Sequence, residues 1–147
     1  MQPLLRQAIA RVDIIQGDRS VNHGTGCLVA PDLVLTAMHV VANRQASPPS
    51  LLDGTIVLTF PTYRCEATVV EGRWDPRSDW ALLRCATPPA GVRPVPLADS
   101  VSDGEEWETF GFPEANSRDG LAQLGTVENA NGTFEAVAAY QLFSRQA

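Results

Sequence analysis

The chain contains no lysine. All 11 of its basic side chains are arginine, against 17 acidic ones, and the formal net charge is −6. A surface that grips a phosphate backbone concentrates positive charge, so this balance argues against a nucleic-acid partner; the acidic excess serves solubility. Long apolar runs are missing too. None approaches the roughly 18 residues of a membrane-spanning helix, so no membrane partner is expected. The opening Met1-Gln2-Pro3-Leu4-Leu5-Arg6-Gln7 lacks the apolar core and small-residue cleavage site of a secretory signal, and a cytoplasmic location is expected. Cysteine is scarce and odd in number. Cys27, Cys65 and Cys85 cannot all pair within one chain, which reads as reduced thiols in a cell interior. With only two histidines and no clustered ligand side chains, neither a metal nor a cofactor is expected.

What the chain does hold is short apolar runs cut by turn residues. Hydrophobic residues make up 44% and charged ones 19%, with 11 glycines and 11 prolines, a balance that suits a loop-rich β protein better than a helical or disordered one. Residues 8–16 predict a first strand, ended by the polar turn Gly17-Asp18-Arg19-Ser20. Residues 24–41 are two apolar runs broken by Pro31-Asp32, a β-hairpin that ends on His39. Ala37 is small enough for the backbone to turn sharply beneath that imidazole. Residues 42–50 have no periodicity and two consecutive prolines, so a surface loop is expected. The β-branched runs 54–60 and 64–70 predict successive antiparallel strands; a loop with Trp74-Asp75-Pro76 then leads to a strand over 80–85. Prolines crowd the stretch from Thr87 to Asp99 and mark a connector, after which 106–113, 121–127 and 133–140 predict three more strands.

Two stretches carry a family resemblance. Gly24-Thr25-Gly26-Cys27-Leu28-Val29, followed by Leu35-Thr36-Ala37-Met38-His39-Val40-Val41, resembles the histidine motif of trypsin-like (chymotrypsin-fold) serine peptidases. The nearest branch is the bacterial, disulfide-free one that includes HtrA-like and glutamyl-endopeptidase-like enzymes. Forty positions later, Ser78-Asp79-Trp80-Ala81-Leu82-Leu83 resembles the strand carrying that family's triad aspartate. Val95-Pro96-Leu97 is similar to its connector, and Gly111-Phe112-Pro113 to the first strand of its second barrel. The resemblance implies an all-β, chymotrypsin-like double β-barrel, with a complete first barrel over residues 1–86, a Pro-rich connector over 87–104 and a second barrel only begun over 105–147. It also implies a Ser-His-Asp triad in which His39 is the general base and Asp79 the carboxylate that orients it. Protein or peptide would be the substrate, and by analogy such a domain would serve as an effector peptidase at the front of a larger protein.

Asp75 competes for the aspartate role, but Pro76 follows it and the Ala-Leu-Leu run does not, so Asp79 is preferred. His23 has no motif around it and reads as a polar loop residue. The family's third motif, Gly-x-Ser-Gly, is missing. None of the eight serines, Ser20, Ser78, Ser117 and Ser144 among them, lies between two glycines. Glycines permit the tight turn whose backbone N–H groups form an oxyanion hole, so their absence matters physically. Ser78 abuts Asp79 and reads as a local hydrogen-bonding partner near the carboxylate. Cys27 as a nucleophile for His39 is the sharper idea, yet its neighbours place it inside a strand, and all three cysteines read as small buried hydrophobes.

A double-barrel peptidase of this kind occupies roughly 200 residues or more as one unit, against 147 here. Three strands cannot close a barrel either. The nucleophile and the rest of the second barrel are therefore expected from the remainder of the polypeptide or from another chain, and these 147 residues alone are expected to be inactive. The absent serine leaves two alternatives: a catalytically inactive barrel used as a binding or scaffold module, or one half of a split peptidase.

Overall fold

The computed structural model describes residues 3–113, 118–134 and 137–145, with side chains for 4–113 and 118–131. After a single turn, α1 (Pro3–Arg6), the chain alternates inward and outward side chains along β1 (Ile9–Gln16): Val12 and Ile14 are buried, while Arg11 and Asp13 pair with each other on the outer face. A tight turn at Gly17, with φ 63, reverses the chain into β2 (Arg19–Ala30), which pairs antiparallel with β1. Pro31 and Asp32 then lead into β3 (Leu33–Thr36), and one helical turn follows, α2 (Met38–Val41). Two short pieces, β4 (Ala42–Asn43) and β5 (Ser50–Leu51), pair with each other before β6 (Thr55–Thr59), β7 (Arg64–Asp75) and β8 (Trp80–Cys85).

Six of these strands close on themselves in the order β1-β2-β3-β8-β7-β6. Closure removes the open edges that a flat sheet would present. The interior is filled by alternate residues of each strand, with Val12, Ile14, Leu28, Val34, Leu58 and Leu83 almost fully buried. At about 1.5–3 kcal/mol for each large apolar side chain removed from water, this set is the main source of the barrel's stability. Each of the six runs read as a barrel strand is one of these strands, as the resemblance implied.

Three boundaries differ from expectation, each for a local reason. The first turn takes only Gly17 and Asp18, so Arg19 already pairs with Gln16; His23 therefore lies within β2, opposite Asp13, and is not a loop residue. Its neighbours Ser20-Val21-Asn22 sit at the outer end of the sheet, where no apolar alternation is needed to bury a face. β7 likewise runs on to Asp75 through the exposed Glu71-Gly72-Arg73, with a pairing irregularity between Val69 and Trp74. Within the expected loop 42–50, Asn43 pairs with Ser50.

Beyond the connector, β9 (Glu106–Gly111), β10 (Leu121–Phe134) and β11 (Val137–Arg145) form a second sheet in the order β11-β10-β9. The strand expected over 133–140 spans Glu135 and Ala136, which lie outside the described residues; its ends belong to β10 and β11. The sheet meets the barrel at one residue in particular. Thr25 Oγ1 accepts the Phe112 N–H at 2.8 Å. Arg6 lies 3.9 Å from the Phe110 ring centroid and 5.6 Å from that of Phe112, a cation–π stack that ties α1 to β9. The connector also touches the barrel, where the Val95 N–H donates to the Leu28 carbonyl at 2.8 Å.

Gly24 is the point at which β2 leaves room for α2. A Cβ there would stand 2.4 Å from Val40 Cγ2. Replacing Gly24 with alanine is expected to destabilise the fold by about 1–3 kcal/mol through overpacking. Urea unfolding checks this, and an unchanged midpoint would show that α2 can retreat freely.

Candidate active site

The site is built on the four residues of α2. Met38, Val40 and Val41 are buried in the barrel core, which leaves the His39 side chain, 63% exposed, as the one residue of the turn that faces outward. Ala37, at the N-cap position, offers no side-chain cap. The first N–H groups of a helix need partners, and here they find them forty residues away in the chain. The Met38 N–H donates to the Asp79 carbonyl at 3.2 Å, and the His39 N–H donates to Asp79 Oδ1 at 2.9 Å. The other carboxylate oxygen, Oδ2, lies 2.6 Å from His39 Nδ1.

Turning both the carbonyl and the carboxylate of one residue toward α2 requires an unusual backbone. Asp79 has φ 57, the only non-glycine residue with positive φ among the described residues. Aspartate is among the side chains that tolerate this region best. At its C-terminal end α2 is held by Asn22, whose Nδ2 donates to the carbonyls of His39 at 3.2 Å and Val40 at 3.0 Å. The helical turn is thus held at one end by Asp79, in the turn before β8, and at the other by the Asn22 side chain of β2.

His39 opens onto a groove of about 540 Å³ lined by Asn22, His23, Thr25, Ala37 and Phe112 among others. Because Nδ1 is engaged by Asp79, Nε2 is the nitrogen left for a reacting group. Ser20 also lines this groove, but its hydroxyl donates to Asp13 Oδ1, so that hydrogen is already committed. The backbone of Ser144 pairs with Gly125 in the second sheet; its side chain, and all of Ser117, lie outside the described residues.

The competing carboxylate has a different task. Asp75 accepts the Arg77 N–H at 2.9 Å and is further bonded by the backbone and hydroxyl of Ser78; these contacts hold its carboxyl below the usual range. Ser78 thus hydrogen-bonds locally, and the carboxylate it serves is that of Asp75. Two contributors to the site escaped the sequence reading. Asn22 was hidden in an unpatterned polar stretch. Arg44, within the expected surface loop, reaches back so that its Nε lies 3.8 Å from Asp79 Oδ1. Neither residue sits in a pattern that reports such a contact.

Burial pushes the Cys27 and Cys65 thiols up, and pushes Cys85 up to about 12 with the help of the adjacent Cys65. All three are free. Cys27 lines a second groove, of about 340 Å³, with Leu5, Ile9 and Phe110, and does not line the groove of His39. Cys27 and Cys65 are half-buried and only Cys85 is buried, in contrast to the three buried hydrophobes expected; a thiol with raised pKa is nonetheless a poor nucleophile, so the geometry disfavours Cys27 as a partner of the imidazole. Among the described residues no group of three His, Cys, Asp or Glu side chains could hold a metal ion, and no helix is long and apolar enough to cross a membrane.

Residues 24–144 match the family model described as a trypsin-like peptidase domain. Among solved structures, Rv3671c from M. tuberculosis H37Rv, a mutant in an inactive form, is similar at 22% identity and TM-score 0.59, over 86% of this chain and 54% of that one. A second structure, the Rv3671c protease in an inactive form, gives 22% identity and TM-score 0.59, over 86% of this chain and 56% of that one. The serine endoprotease from Yersinia pestis is similar at 15% identity and TM-score 0.66, over 95% of this chain and 50% of that one. At such identities the likeness is one of fold, and the chain spans about half the length of these structures. No curated protein sequence matches the chain.

The thiols give this geometry a direct check. Since their ionisation is pushed upward, the thiolate that attacks an alkylating reagent is scarce at neutral pH and grows as pH rises. Iodoacetamide at pH 7 is expected to modify the folded chain slowly, Cys85 last, and all three cysteines rapidly once urea is added. Peptide mass spectrometry reads the order, and fast labelling of Cys27 in the folded chain would contradict it.

Proposed function

This chain belongs to the trypsin-like peptidase family, and on that premise we propose that it is the first-barrel part of a serine endopeptidase, with His39 as general base and Asp79 as its orienting carboxylate. The contact of 2.6 Å between His39 Nδ1 and Asp79 Oδ2 carries the reading. Attack on a peptide carbonyl requires a hydroxyl that loses its proton as the new C–O bond forms. A neutral imidazole with Nδ1–H bonded to a carboxylate presents an unprotonated Nε2 for that proton, and the carboxylate stabilises the imidazolium that results. The same imidazolium then delivers the proton to the leaving amine.

The attacking serine and the oxyanion hole belong, in this reading, to residues beyond these 147. Three observations support that division: no serine lies between glycines, Ser20 in the groove already serves Asp13, and the second sheet contains β9, β10 and β11 alone among the described residues. The groove beside His39 would receive the main chain of a protein or peptide substrate, with Phe112 and Thr25 forming the wall at which the barrel and the second sheet meet.

The test is a fluorophosphonate probe, which labels an activated serine, applied to the polypeptide that includes the rest of the second barrel. Wild type is expected to label, and His39→Ala or Asp79→Asn to slow labelling by about 10³–10⁴. Undiminished labelling of His39→Ala would overturn the assignment of the base. A wild type that takes no label but binds peptides would make the barrel a binding module.

A further inference from the structure

We propose that Arg44 is a positioning residue of the Asp79–His39 pair, one whose positive charge sets how strongly the carboxylate can hold the imidazole's proton. The inference rests on the pairing proposed above and adds a third member to it. Arg44 follows β4, and its guanidinium is fixed by a hydrogen bond from NH1 to the Pro76 carbonyl at 2.9 Å. From there its Nε stands 3.8 Å from Asp79 Oδ1. That separation is too long for a hydrogen bond and short enough for a strong Coulomb contact. Both partners are half-buried, with side chains 28% and 24% exposed, so water and salt screen the contact less than they would a fully exposed pair.

Oδ1 is also the oxygen that accepts the His39 N–H, while Oδ2 faces the ring. One carboxylate therefore divides its charge between an arginine on one side and an imidazole on the other. Arginine's forked guanidinium can hold the Pro76 carbonyl and face the carboxylate at once, which keeps the strained turn at Asp79 in place and draws negative charge away from the imidazole. These two effects of Arg44 have opposite signs. Losing the charge leaves Asp79 free to stabilise the imidazolium more strongly, so the imidazole would hold its proton to higher pH. Losing only the positional restraint loosens the Nδ1–Oδ2 contact, so the imidazole would release its proton at lower pH.

The other titratable and charged groups on the elements packed around α2 are Arg11 and Asp13 on β1, Arg19, His23 and Cys27 on β2, Arg64, Cys65, Glu66, Glu71, Arg73 and Asp75 on β7, Arg77 in the turn that follows it, and Arg84 and Cys85 on β8. All of them stay in place in the variants used below, and His23 serves as an internal reference. The experiment follows the His39 ring signals by NMR as pH is varied in this chain, for wild type, Arg44→Gln, Arg44→Lys and Asp79→Asn. Arg44→Gln is expected to raise the His39 midpoint by about half a pH unit, because a neighbouring charge has been removed, while Arg44→Lys stays near wild type. A midpoint in Arg44→Gln that is unchanged or lower would overturn the proposal, as would an equal rise in Arg44→Lys. Asp79→Asn is expected to lower the midpoint; if it does not, the pairing itself fails, and that failure is distinct from a failure of Arg44.

Discussion

One residue, Asp79, satisfies the helical turn that carries His39, and the site depends on that bond set more than on any other contact. Its carbonyl takes the Met38 N–H, one carboxylate oxygen takes the His39 N–H, and the other faces the ring. The backbone must adopt φ 57 to aim all three. A four-residue helix has no cooperative stability of its own. It persists because its apolar residues are sunk in the barrel and its polar ends are held from β2 and from the turn before β8. The imidazole is then positioned both by the Asp79 carboxylate that it touches and by the strand that holds the far end of its helical turn.

The barrel explains why so short a segment can be held so firmly. Closure of six strands leaves one packed interior, and packed interiors resist small displacements. Gly24 and Gly26 keep β2 close to Val40 and Val34, so that α2 and β3 lie directly against the strand that supplies Asn22. The same strand supplies Thr25 to the second sheet. β2 is thus the common support of the helical turn, the groove wall and the junction with β9, which is why its polar outer end carries functional geometry without a hydrophobic pattern to announce it.

The placement of Arg44 adds an electrostatic layer to this support. A carboxylate placed between a guanidinium and an imidazole is anchored more firmly and binds each partner less strongly than it would bind either alone. Such a compromise suits a base that must accept a proton and give it back within one reaction cycle.

Local patterning made most of the architecture legible. Six barrel strands could be read because alternation and β-branched runs are properties of neighbouring residues, and two motifs in fixed order singled out His39 and Asp79 as candidates. Strand ends were less legible: β2 and β7 both extend through polar residues whose pairing is set by partners distant in the chain. The roles of Asn22 and Arg44 could not be read at all, since each depends on a side chain reaching a residue from 17 to 35 positions away. What the sequence alone determined was which residues could do chemistry and which face of each strand had to be buried, because both follow from side-chain type and period. Only the tertiary structure decided which oxygen of Asp79 meets which nitrogen of His39, and what stands behind that carboxylate. Those directions are set by how a closed barrel brings separate turns together, and no single segment contains that information.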